Sequence, residues 1–121
     1  MNLQELLREL DLSTYIAFDF ETTGLSPEND RIIEIAAIKF EGGEAVDRFV
    51  TLVNPERQID SFITDITGIS NAMVSDAPVE RNILNDILDF LEDFPLVAHN
   101  ISFDINFLNN LCERYDKKII E

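Results

Sequence analysis

The segment Tyr15-Ile-Ala-Phe-Asp-Phe20 is aromatic and branched, contains a single charge, and is stopped by Thr22-Thr23-Gly24. Six such residues before turn formers predict a central β-strand buried on both faces. Side chains two apart on a strand share a face, so Asp19 and Glu21 project together, roughly 6.5 Å apart along the strand, while Phe18 and Phe20 point the other way. An unpaired charge at the mouth of a buried strand costs several kcal/mol unless hydrogen bonds or a cation compensate it. A hard divalent cation with oxygen ligands is one compensation. Hydrogen bonds donated by the following turn are the other, and this pair of acids alone leaves both open.

The remaining chain sorts by period. Leu3, Leu6, Leu7 and Leu10 recur at helical spacing, which predicts an amphipathic helix over 2–11 that packs on the domain or docks a partner. Residues 1–12 therefore form an N-terminal helical segment and 13–121 the main domain. Arg31–Phe40 and Val46–Val53 read as two further strands joined by the tight turn Glu41-Gly42-Gly43-Glu44, giving an antiparallel meander. Residues 56–78 have no clean period and predict short helical turns and loops, kept packed by Ile59, Phe62, Ile63, Ile66, Ile69, Met73 and Val74. A helix over about 79–93, a short buried strand at 95–98 and a second helix over about 102–115 complete the order βββαβα. The fold class is α/β, a mixed sheet flanked by helices.

Charge narrows the partners. Nine Lys and Arg against 24 Asp and Glu give a net charge of −15, which excludes a broad phosphate-neutralising surface; nucleic acid must be held locally or through cations. One cysteine forms no internal disulfide, and the first residues lack the apolar core of a signal peptide, so a reducing, cytoplasmic location is expected. No apolar run approaches the ~18 residues that span a bilayer, and no membrane partner is expected.

Asp104 lies behind Asn100 and Ser102, in the first turn after a short strand, where a helix N-terminus favours negative charge. If the strand at 95–98 lies beside that at 15–20, Asp104 emerges at the same sheet end as Asp19 and Glu21, where open α/β sheets bind ligands. His99, the single histidine, reads as a hydrogen-bonded structural residue rather than a general base, and Cys112 as core.

The string Phe18-Asp-Phe-Glu-Thr-Thr-Gly-Leu25 resembles the first motif of the DnaQ-like exonucleases, the DEDD superfamily of 3′-to-5′ exonucleases that includes polymerase proofreading subunits. Arg31-Ile-Ile-Glu-Ile-Ala-Ala, Ile66-Thr-Gly-Ile-Ser-Asn-Ala-Met-Val and Val97-Ala-His-Asn-Ile-Ser-Phe-Asp-Ile-Asn-Phe-Leu108 agree in order and spacing, so the likeness covers residues 15 to about 115. It implies a ribonuclease H-like fold and removal of nucleotides from the 3′ end of a single strand with two Mg²⁺ or Mn²⁺ ions. By motif position, Asp19, Glu21 and Asp104 are the implied catalytic metal ligands. Thr22, Thr23 and Gly24 are implied to hold the terminal nucleotide, and Leu25, Thr67, Ile69 and Phe103 to line its base or sugar. The Glu-Thr-Thr-Gly stretch suits the histidine (DEDDh) subclass.

The family carries a third motif, with a fourth metal-binding Asp and a general-base His, well after the second-motif helix. Another strand is expected at Lys117-Lys-Ile-Ile-Glu121, so the chain reads as the first two thirds of such a domain, completed beyond residue 121 or by another chain. A DNA polymerase or a helicase is the implied partner. Two rivals differ in class. A haloacid-dehalogenase-like phosphatase also places an acid two residues after its nucleophilic Asp, but here that acid is Glu21 and no later Gly-Asp motif follows. An inactive nucleic-acid-end binder or docking module is the other.

Overall fold

The computed structural model describes residues 2 and 13–115; the expected helix over 2–11 and the expected strand after Lys117 lie outside them. The chain runs β1 (Thr14–Thr22), β2 (Ile32–Glu41), β3 (Glu44–Leu52), α1 (Ser61–Thr67), α2 (Asn71–Val74), α3 (Glu80–Leu91), β4 (Leu96–Val97) and α4 (Ile101–Arg114). The sheet order is β3-β2-β1-β4, with the first three strands antiparallel and β4 parallel to β1. The meander and the two short helices within 56–78 are as the sequence predicts, and the short strand does lie beside β1, the condition on which the position of Asp104 rested.

Two glycines set the β2–β3 hairpin. Gly42 and Gly43 have φ of 57° and 85°, the positive pair that a two-residue type I′ turn requires, and Glu41 then pairs with Glu44.

The helices cover one side of the sheet. Ile16, Phe18 and Phe20 of β1 and Ile35 and Ala37 of β2 form the main core with α3 and α4. Within α4, Phe103 and Phe107 lie 4.9 Å apart, and Leu111 and Cys112 are fully buried, so Cys112 is core as expected. The other face of β1 is only partly covered: Asp19 is exposed and Ala17 half-buried. This corrects the expectation of a strand buried on both faces, because both long helices pack on the Phe18–Phe20 side.

A bulge shapes β2. Glu21 faces Glu34 but Thr22 faces Ile32, so Ile33 is an extra residue. The insertion lets consecutive isoleucines serve two cores: Ile32 joins the main one, while Ile33 packs with Ile59, Ile69 and Val74 in a satellite under 56–78. That satellite uses fewer side chains than expected, since Phe62, Ile66 and Met73 are exposed.

Candidate active site

The amides of Ile16 and Phe20 point toward β4. Ile16 donates to the Pro95 carbonyl at 2.9 Å, but β4 ends at Val97, opposite Ala17. Beyond that point the strand partner is gone, and the Phe20 N–H donates to Asp104 Oδ1 at 3.0 Å, across 84 residues of sequence. A buried amide left unpaired costs about 1–3 kcal/mol, so backbone satisfaction itself draws the α4 carboxylate to β1. α4 begins at an Asn100 N-cap whose side chain accepts the Phe103 N–H.

Asp104 is 3% exposed, Glu21 half-buried and Asp19 exposed. Asp19 and Glu21 share the strand face that the helices leave open, as predicted, and Asp104 meets the strand at the residue between them. A fourth acid, Glu34, stands directly across from Glu21 in the β1–β2 register. Burial pushes the Glu21 carboxyl above the ordinary glutamate range, and the negative charges of Asp19, Glu34 and Asp104 add to the effect. Burial also raises Asp104; the Phe20 N–H bond opposes that rise and Asp19 reinforces it.

No ion pair among the described residues reaches Asp19, Glu21, Glu34 or Asp104. Nor are three acid, His or Cys side chains among them already gathered at metal-coordinating spacing. Like charges with no cation between them repel, and the strand and helix alone hold these in one neighbourhood. The donor set is all carboxylate oxygen, partly desolvated and, among the described residues, without an ion-pair partner, which suits a hard divalent cation.

The raised Glu21 carboxyl has a pH consequence. Its folded-state proton affinity exceeds that of the unfolded chain, so the stability linked to it is complete below about pH 4.5 and is lost as pH rises through the folded value. Glu21→Gln should therefore melt about 3 °C above the parent in metal-free buffer at pH 7.5, from relief of the cost of burying a charge and of its repulsion by Asp19 and the facing Glu34. The gap should close near pH 4.5; thermal melts across that range check it, and a constant gap would refute the charge account.

The turn after β1 is tightly bonded. Thr22 is buried and donates from Oγ1 to the Gly24 carbonyl at 2.6 Å. Thr23 N–H donates to the Arg31 carbonyl at 2.8 Å, and Arg31 N–H returns to Thr23 Oγ1 at 2.9 Å. Leu25 projects outward, 84% exposed. Thr67 caps its own helix end, donating to the Ile63 carbonyl and accepting the Ile69 N–H. Phe103 is half-buried beside the main core.

Ile69 departs from expectation: it is 3% exposed and packed in the satellite core, so its side chain offers no surface to a nucleotide. His99, expected to be a hydrogen-bonded structural residue, is exposed. Glu34 was missed from the sequence; its signal was an acid amid the Ile and Ala of β2, but its facing Glu21 depends on the register of β1 against β2.

The sheet order and its flanking helices define the class of fold, the ribonuclease H-like α/β fold. Two structures of E. coli exonuclease I, with dT13 and dA16 oligonucleotides, superpose with a TM-score of 0.76 at 22% identity, covering 88% of this chain and 25% of theirs. A family model described as Exonuclease matches residues 16–121, and the chain belongs to that family. The DNA polymerase III PolC-type proteins of Oceanobacillus iheyensis and Bacillus subtilis are each 47% identical to it, over 109 and 102 residues. The matches take in 90% and 84% of this chain but only 8% and 7% of those relatives. Among the described residues no helix is long and apolar enough to cross a membrane.

Proposed function

We propose that this domain removes nucleotides from the 3′ end of a single DNA strand, with Asp19, Glu21 and Asp104 holding two Mg²⁺ or Mn²⁺ ions. The observation that carries the reading is Asp104: a nearly fully buried carboxylate, joined to β1 at Phe20, among acids that no ion pair of the described residues reaches. Two such ions, when bound, supply an activated water and charge stabilisation for the leaving 3′ oxygen.

The protein's own contribution is placement. β1 sets the spacing of Asp19 and Glu21, and the Phe20 amide fixes Asp104 against them. Thr22, Thr23 and Gly24 seat the terminal sugar and phosphate, while Leu25, Thr67 and Phe103 offer contacts that do not depend on base identity. Exonuclease I holds both dT and dA oligonucleotides, which supports such indifference here. Local seating and bound cations also reconcile a nucleic-acid substrate with a net charge of −15.

His99, exposed just before the Asn100 cap of α4, is not the base in this reading. Kinship with PolC-type polymerases supports proofreading beside a DNA polymerase, in the cytoplasm, as its setting. In the full-length protein, a 5′-labelled single strand should shorten stepwise from its 3′ end only when Mg²⁺ or Mn²⁺ is present, and Asp19→Ala should abolish this. Undiminished shortening by that variant would overturn the metal assignment. Metal-independent binding without cleavage would favour an inactive end binder.

A further inference from the structure

We propose that Asp30 is a positioning residue for the 3′-terminal nucleotide, because its carboxylate fills the turn Thr23-Gly24-Leu25-Ser26 and sets where Leu25 stands just past the end of β1. The inference rests on the exonuclease reading and adds to it a residue that touches neither metal nor substrate.

The loop between β1 and β2 has an outgoing and a returning limb. The returning limb is anchored in the body of the domain. Arg31 Nη1 donates to the Asp30 carbonyl at 3.0 Å, and Arg31 Nε lies 3.8 Å from Oε1 of Glu80. Glu80 is 7% exposed; it pairs with Arg114 Nε at 3.1 Å and accepts the Tyr115 hydroxyl at 3.2 Å. α3 and α4 thus hold the backbone on which Asp30 sits. Arg57 bonds the neighbouring Asn29 carbonyl from a third side.

The outgoing limb carries Leu25, whose exposure leaves it no packing of its own. Its shape comes from Asp30, which bonds it at both ends: Thr23 Oγ1 donates to Oδ1 at 3.1 Å and Ser26 N–H donates to Oδ2 at 2.9 Å. Asp30 N–H closes the same turn on the Ser26 carbonyl at 2.7 Å. The fit is tight enough to dictate the neighbour. A Cβ on Gly24 would lie 2.4 Å from Asp30 Oδ2, so any other residue at 24 must displace that carboxylate from the turn. Two acceptor oxygens serve two donors, and Asn offers only one acceptor.

Asp30→Ala in the full-length protein should raise KM for a single-stranded oligonucleotide roughly 10- to 100-fold, the scale of a misplaced binding group, with kcat changing far less. Asp30→Asn should fall between the two. Mn²⁺ affinity by calorimetry should stay at the parent value, because Asp19, Glu21 and Asp104 are held by β1 and α4. Gly24→Ala should reproduce the KM rise and add nothing to Asp30→Ala, since both break one contact. An unchanged KM, or a KM rise matched by loss of Mn²⁺ affinity, would overturn the proposal. If the parent protein leaves 3′ ends intact, the exonuclease reading falls. Fluorescence anisotropy with the same oligonucleotide then decides separately: a weaker Kd in Asp30→Ala supports the positioning role, and an unchanged one removes it.

Discussion

Asp104→Asn should lower 3′-end hydrolysis about 10³-fold in the full-length protein, the scale of losing one preorganised electrostatic contact at a reacting centre, while leaving the fold intact. The two halves of that expectation separate because Asn keeps a carbonyl oxygen where Oδ1 accepts the Phe20 amide. What it removes is charge. In the metal-free parent that charge is a burden, since burial already drives the carboxyl toward its protonated form. The variant should therefore melt no lower than the parent without divalent ions, yet gain less from added Mn²⁺. Single-turnover cleavage of a labelled oligonucleotide and paired melts with and without Mn²⁺ test both halves. A variant that loses activity and stability together would make Asp104 a structural acceptor only.

Phe107→Ala should have the largest effect on stability, about 3–5 kcal/mol. Phe107 is 1% exposed and lies at the centre of α4, against the β1 aromatics and α3. Small domains are stable by only about 5–15 kcal/mol, so this one change removes a large share. At about 3–6 °C per kcal/mol, between the scales for smaller and larger domains, melting should fall by roughly 9 °C or more. Phe107→Leu, which preserves most of the volume, should cost less than half as much. The position also bears on activity: Phe107 stands one turn after Asp104, and a loosened α4 slackens the bond to Phe20. Urea denaturation checks the energy; a loss below about 1 kcal/mol would mean that α4 is held by something other than its aromatic stripe.

Much of this architecture was legible because single residues dictate it. Gly42 and Gly43 announced the hairpin, and the i, i+4 aromatics announced α4. The alternation of Phe18, Asp19, Phe20 and Glu21 announced which side chains share a face. The burial of β1 was misjudged because an apolar run does not reveal how many faces its neighbours cover. The residues of 56–78 were likewise counted as core without a period to divide them, and Phe62 and Ile66 lie outside.

At the site, the nearness of Asp104 to β1 followed once β4 was placed beside β1, a topological premise that no local pattern supplies. The pairing of Glu34 with Glu21 was out of reach for a sharper reason. The long loop before β2 fixes no register, so which β2 side chain faces Glu21 is set by the pairing that runs from Thr14 and Glu41 along the whole strand. Asp30 was hidden in the same way, since its carboxylate reaches back across the turn to residues four and seven earlier.

Titration calorimetry of the full-length protein with Mn²⁺ tests the central claim most directly. The account predicts uptake of about two ions, with binding sharply weakened in Asp104→Asn. Absence of binding heat in the parent, or equal uptake by parent and variant, would contradict it.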